Sequence, residues 1–263
     1  MAELVWGGLG DKRYETGLSE LVLYPYNNGY NTGVAWNGAT SFSENPSGAE
    51  SNKYYADDDV YANVLSKEEW GGTLEAYNSP DEFDACDGKK TLVDGVTIGQ
   101  QERQTFGLSY KNVVGTDANS AAGEIYHLCY GLKASPSERQ HQTQNDNIEL
   151  DNPSWEISSV PVACTGNKNV STLEVKSIGS DPDTFKVFKA IIHGAPDFST
   201  EKTYAVGDLV NYGEGAEKKI YKCSTAVTSA GAWQTSSWTV VNQKAGPYLP
   251  LPDEVKTLFT PAG

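Results

Sequence analysis

Basic residues are scarce in this chain. Its 263 residues include 20 Lys and Arg against 35 Asp and Glu, for a formal net charge of -15. A surface that grips nucleic acid needs clustered Lys and Arg to displace the counterions on phosphate, and an anionic membrane selects the same sign, so the charge argues against both partners. Histidines number 3 (His127, His141, His193), and none falls in an HExxH or similar metal-ligand spacing. His127, inside a strand-like run, reads as packed and not catalytic. The 4 cysteines, Cys86, Cys129, Cys164 and Cys223, form no CxxC pair and fit no zinc pattern. No G-x-S-x-G, P-loop or dinucleotide fingerprint occurs. The paired acids Glu68 and Glu69 cannot flank one glycosidic bond, because adjacent residues on a strand point to opposite faces. The expectation is a protein that is no enzyme and holds no cofactor or metal.

Long apolar runs are also missing. No stretch approaches the ~18 residues of a membrane span, and the opening MAELVWGGLGDKRYETG has no basic start followed by an apolar run. The chain is therefore expected to fold in the cytoplasm where it is made, with reduced, buried cysteines and an unused Asn169-Val170-Ser171 sequon.

What is abundant points to strands. There are 26 Gly and 15 Tyr, and strand-like segments alternate with turn signals. LSELVLYPY (18–26) predicts a first strand, stopped by Pro25 and Asn27-Asn28-Gly29, and NTGVAWNGATSFSE (31–44) a second, broken at Gly38. The region around Tyr54, Tyr55, Val60, Tyr61, Val64 and Leu65 predicts one strand near 54–66, antiparallel to another near 70–77. Ser79-Pro80-Asp81 has the form of a helix start, with Ser as N-cap and Pro at the first position, for a short helix ending at Gly88. Phe106, Leu108 and Tyr110 alternate as one face of a half-buried strand, and 123–133 forms the next. The polar stretch ASPSERQHQTQNDN predicts an exposed loop. IELDNPSWEISSVPVACTG and STLEVKSIG predict a further strand pair. Phe185, Phe188, Ile191 and Ile192 recur at helical intervals, predicting a helix of ~8–10 residues.

Two blocks carry a resemblance: GATSFSENPSGAESNKYYADDDVYANV…EEWGGTLEAYNSPDEFDACDG (38–88) and GPYLPLPDEVKTLF (246–259). Together they resemble the major tail proteins of long-tailed phages of Gram-positive bacteria, the phi13-like family. The resemblance implies a mainly β fold: a tail-tube β-sandwich or barrel with a flanking short helix and a long β-hairpin. It also implies self-association into hexameric rings, stacked as a tube whose lumen conducts DNA during ejection without specific binding. The implied partners are the tape measure protein and the tail terminator and distal tail proteins. The implied place is the virion tail, assembled in the host cytoplasm.

Between residues 50 and 102 stand 13 acids and 4 bases, which leaves nine of the fifteen net negative charges there. A carboxylate-lined lumen repels phosphate and lets DNA slide. Asp57, Asp58, Asp59, Glu68 and Glu69 are therefore candidates to face the lumen; the alternative, that they decorate loops, stays open.

The texture changes over 197–245. Tyr204, Gly207-Asp208, Val210 and Tyr212, then Tyr221 and Cys223, then Trp233 and Trp238, resemble the small carbohydrate-binding modules of families 5 and 12. The resemblance implies a small three-stranded β module, and because the LPLPDEV block follows it, one inserted into a tail tube domain of 1–196 and 246–263. In a tube it would project outward. Flat aromatic faces stack on sugar rings, so Trp233, Trp238 and Tyr221 are the candidate contacts to a host cell-wall glycan. Tyr204 and Tyr212 are assigned to the sheet. The family's second exposed aromatic beside the late Trp is absent, since Thr239 follows Trp238. The competing reading is a carbohydrate-binding protein on a β scaffold.

Overall fold

The computed structural model describes residues 6–136, 143 and 150–260. The chain is mainly β. Its first strands are β1 (Arg13–Pro25), β2 (Val34–Ala35), β3 (Ala39–Glu44), β4 (Ser51–Ala56), β5 (Asp59–Leu65) and β6 (Gly71–Ala76). After a 3-10 turn at Asp81–Phe83 come β7 (Lys90–Val93), β8 (Val96–Ile98), β9 (Phe106–Thr116), β10 (Gly123–Ala134), β11 (Ser154–Ser159) and β12 (Thr172–Lys176). The helix α1 (Pro182–His193) precedes β13 (Leu209–Tyr212), β14 (Lys219–Cys223) and β15 (Trp238–Asn242), and α2 (Pro252–Phe259) ends the described chain.

The centre is an antiparallel layer in the order β2-β1-β9-β10-β12, with β11, β6 and β3 continuing from the far end of β10. Both faces of the central strands are buried. Leu21 and Leu23 of β1 and Phe106, Leu108 and Tyr110 of β9 point into a core shared with Leu74 of β6 and Trp155 and Ile157 of β11. The alternate residues, Val22, Tyr24, Tyr126, Leu128 and Tyr130, point the other way, onto Phe185, Phe188 and Ile192 of α1 and Val255 of α2. The period of two in each strand thus builds three layers, sheet on sheet on helices.

The β9 strand is buried on both faces and not half-buried as its alternation suggests. Its second face carries Gly107 and Ser109, small enough to admit neighbours. A Cβ on Gly107 would come within 2.4 Å of Leu249 Cδ2, and the Ser109 hydroxyl meets Tyr24 Oη at 3.0 Å. Buried tyrosine hydroxyls tie the layers together: Tyr24 donates to Ile192 O (2.8 Å) and Tyr130 to Pro250 O (2.9 Å). Each keeps a polar group satisfied away from water, for about 1 kcal/mol net apiece.

Several expected elements are rearranged. The single strand at 54–66 is two strands, β4 and β5, paired as a hairpin around Asp57-Asp58, and β6 pairs with β3 and β11 instead. The helix near 79–88 is one short 3-10 turn, with Pro80 and not Ser79 at the cap position and no side-chain cap bond. β11 and β12 do not pair with each other; both pair with β10, on successive stretches of it. The register of β10 shifts between Cys129 and Leu132, at Gly131, whose φ of 62° favours glycine. The polar loop expected at 134–147 lies outside the described residues except for 134–136 and 143.

α1 is longer than its periodicity suggests. Asp181 caps it, accepting from Thr184 N at 2.8 Å, Pro182 sits in the first turn and Gly194 (φ 85°) ends it. Its outer stripe, Val187, Ala190 and Ile191, is covered by one face of a separate three-stranded sheet, through Leu209 and Ile220. That sheet is formed by β13, β14 and β15. The chain leaves and returns at one point: a Cβ on Gly194 would lie 3.2 Å from Pro247 Cδ, and Tyr248 N donates to Ile191 O (3.0 Å).

Candidate self-assembly surface and aromatic cluster

The β4–β5 hairpin stands clear of the body. All of its strand residues are exposed except Ala62, which is half-buried. Tyr61 is 78% exposed, Tyr55 69% and Leu65 65%. Its loop is Asp57-Asp58, both in the left-handed region (φ 53° and 63°), as a two-residue hairpin loop requires. Asp59 Oδ1 accepts from Val60 N at 2.7 Å and fixes the exit from the turn. An isolated two-stranded hairpin is marginal in water, and this one leaves both outer edges unpaired and several aromatic and aliphatic side chains uncovered.

The five acids expected to act together are split. Asp57, Asp58 and Asp59 crown the hairpin tip. Glu68 and Glu69 lie at its base, where Glu69 N and Ser47 O, and Ser47 N and Glu69 O, exchange hydrogen bonds of 2.8 Å. The six or so residues of β5 between them span roughly 20 Å. All five acids are exposed.

The second surface is the outer face of the β13–β15 sheet. Trp238, Trp233 and Tyr212 form a parallel stack, with ring centres 4.9 Å apart (14°) and then 3.7 Å apart (4°). Phe198 meets the edge of the stack, 5.0 Å from Trp233 at 90°, and Tyr221 closes from the side, 4.9 Å from Trp233. Trp238 is buried at 6% exposure, and Trp233 has a ring on each face. Neither tryptophan offers a free flat face to a sugar. The ring that ends the stack on the solvent side is Tyr212, 37% exposed. The signal that separates these roles is the stacking order, which spacing along the chain does not carry.

Polar groups elsewhere serve the fold. Glu20, in the left-handed region at a β1 register shift (φ 52°), accepts from Lys111 and from Tyr126 Oη. Burial pushes its pKa up, but those hydrogen bonds outweigh it and hold the carboxyl below its ordinary range. His127 stacks flat on Tyr110, 4.6 Å between centres, and burial lowers its pKa. All four cysteines are free, with Cys86, Cys129 and Cys223 buried; burial pushes the Cys86 thiol up to about 12. Among the described residues no group of three or more His, Cys, Asp or Glu is placed to hold a metal ion, and no helix is long and apolar enough to cross a membrane.

No family model matches the chain, and no curated protein matches it. Among solved structures, it aligns with a chain of the PVC sheath-tube complex, an extracellular contractile injection system in its extended state. That alignment has 9% identity and a TM-score of 0.33, covering 59% of this chain and 88% of the other. A chain of the anti-feeding prophage baseplate aligns with 8% identity and a TM-score of 0.33, covering 65% and 97%. A likeness at this level establishes neither a shared fold nor a shared role.

Proposed function

We propose that the chain is a structural subunit of a phage tail tube, forming hexameric rings that stack around a DNA-conducting lumen. The observation that carries this reading is the β4–β5 hairpin. A strand pair with two open edges and exposed Tyr55, Tyr61 and Leu65 is a template for pairing with another copy, and rotation of such head-to-tail pairing closes a ring with no edge left. The resemblance of residues 38–88 and 246–259 to phage major tail proteins supports the same role. In the ring the hairpins line the lumen, and Asp57, Asp58 and Asp59 at their tips repel the phosphates of passing DNA. The tape measure protein occupies the lumen during assembly, and terminator and distal tail proteins close the ends.

The β13–β15 sheet lies on the helix side of the central layer, opposite the β3–β6 layer from which the hairpin springs. This supports an outward position for the insert and a glycan contact on its aromatic face, at Tyr212. Weak sites repeated along a tube gain by avidity.

Negative-stain electron microscopy of the purified chain, with and without residues 51–65, tests the main reading. Rings or tubes formed by the full chain and lost in the shortened one are expected. Strict monomers at high concentration, or assembly that survives loss of the hairpin, would refute it.

A further inference from the structure

β10 carries a joint on each of its faces. Tyr126 and His127 are neighbours in it and so point opposite ways. Tyr126 faces α1, where its ring meets His193, the last residue of that helix, with 5.4 Å between centres and 63° between planes. His127 faces the β3–β6 layer. It lies flat on Tyr110 and borders a cavity of about 330 Å³ that Glu15, Phe42, Glu44 and Glu174 also line. Each interlayer joint thus holds one imidazole, and the two joints meet β10 at adjacent residues.

The two imidazoles share a geometry. The Nδ1 of each looks toward a carboxylate, 3.7 Å from Glu20 for His193 and 3.8 Å from Glu174 for His127. That draws the single proton of the neutral ring to Nδ1. The Nε2 of each is buried, with no hydrogen-bond partner among the described residues. A second proton would therefore put a charged N–H donor where the fold offers no acceptor, and a buried charge without a partner is costly.

The charges around the rings do not lift this cost. His193 is faced by Glu20 of β1, Lys111 of β9, Glu124 and Tyr126 of β10 and Lys189 of its own helix, and it shares a groove with Lys186, Lys202 and Asp208. His127 is faced by Glu15 of β1, Glu44 of β3, Tyr110 of β9 and Glu174 and Lys176 of β12. For both rings burial outweighs the nearby acids and holds the pKa below its ordinary value of 6.5.

We propose that His127 and His193 make an acid-sensitive double joint: mild acid loosens both interlayer contacts of β10 together, at a pH above that at which the carboxylates of the body titrate. The proposal is independent of the assembly reading. Below pH 6.5 the unfolded chain binds a proton at each of these histidines and the fold does not, so stability is full above 6.5 and falls as the pH drops. For one ring that stays neutral in the fold, the folding equilibrium constant at pH 5.5 is about tenfold lower than at pH 7.5, and for two rings about a hundredfold lower.

Two measurements on the full chain test this. An NMR titration of the parent's imidazole signals, assigned through the backbone, should show His127 and His193 still neutral below pH 6.5. Denaturant unfolding at pH 7.5 and pH 5.5 should show the parent losing about a hundredfold, His127→Phe and His193→Gln about tenfold each, and the double variant almost nothing. His141 is present in all four chains, so its own titration cancels. A ring that protonates at or above pH 6.5 in the fold, or a double variant that loses stability as steeply as the parent, would overturn the proposal. The NMR titration needs only the parent and decides the matter even where a variant fails to fold.

Discussion

The Ile220→Ala substitution tests whether residues 197–245 form a hanging module or part of the fold. Ile220 is fully buried in β14, and its neighbours include Leu209 from its own sheet and Val187, Ala190, Ile191 and Tyr248 from the body. Truncating a buried isoleucine to alanine costs about 2–5 kcal/mol through lost burial and the cavity left behind. If the β13–β15 sheet and the body unfold together, about 3 kcal/mol should lower the single melting temperature by roughly 6–12 °C in a chain of this size. Thermal unfolding followed by the amide NMR signals of β14, which report the three-stranded sheet, and by far-ultraviolet circular dichroism, which the larger body dominates, should give coincident curves in parent and variant. Hydrogen exchange should show the α1 amides weakening along with those of β14. Two separated transitions, with only the β14 signal moving, would refute the reasoning: the sheet would then be an autonomous module that rests on α1 without stabilising it.

Tyr61→Asp, at the most exposed aromatic of the β4–β5 hairpin, should leave the monomer's stability within about 0.5 kcal/mol yet abolish assembly, as sedimentation velocity would show. Tyr212→Ala should remove binding to a chitin or cell-wall pull-down with little change in melting temperature, whereas Trp233→Ala, which empties the middle of a three-ring stack, should cost about 3–5 kcal/mol. Glu20→Gln should destabilise at neutral pH and lose that effect in acid. The folded carboxyl titrates below its unfolded value, so its contribution is full above the unfolded value of 4.5 and fades as pH falls through the lower folded one. Denaturant titrations at pH 7 and pH 3 would check this, and an equal loss at both would rule it out.

Much of the fold was legible where apolar period and length agreed. Phe106, Leu108 and Tyr110 marked a face of β9, and Phe185, Phe188, Ile191 and Ile192 marked α1. What stayed hidden was carried by residues with no apolar signal. Gly107 and Ser109 do not advertise burial, yet their small size lets α1 and the closing segment approach the sheet. Asp57-Asp58 reads as charge on a strand because the turn uses aspartate in the left-handed region where Gly or Asn would have announced it. β11 and β12 look like partners because they are neighbours in sequence, while the bulge at Gly131 lets β10 serve both. At the aromatic surface, spacing named the right cluster but not its order, and order decides which ring meets solvent. The cavity lined by Glu15, Phe42, Tyr110, His127 and Glu174 draws on β1, β3, β9, β10 and β12 and has no local signature.

A helix with two insides transmits force differently from a domain on a tether. α1 is held by the central sheet on one side and by the β13–β15 sheet on the other, and the chain enters and leaves that sheet at a single seam beside Gly194 and Pro247. No flexible linker is available to absorb a pull. Load applied at Tyr212 passes through Ile220 and α1 into the β1–β9–β10 layer, so whatever meets the aromatic face bears on the central layer of the fold and not on an appendage.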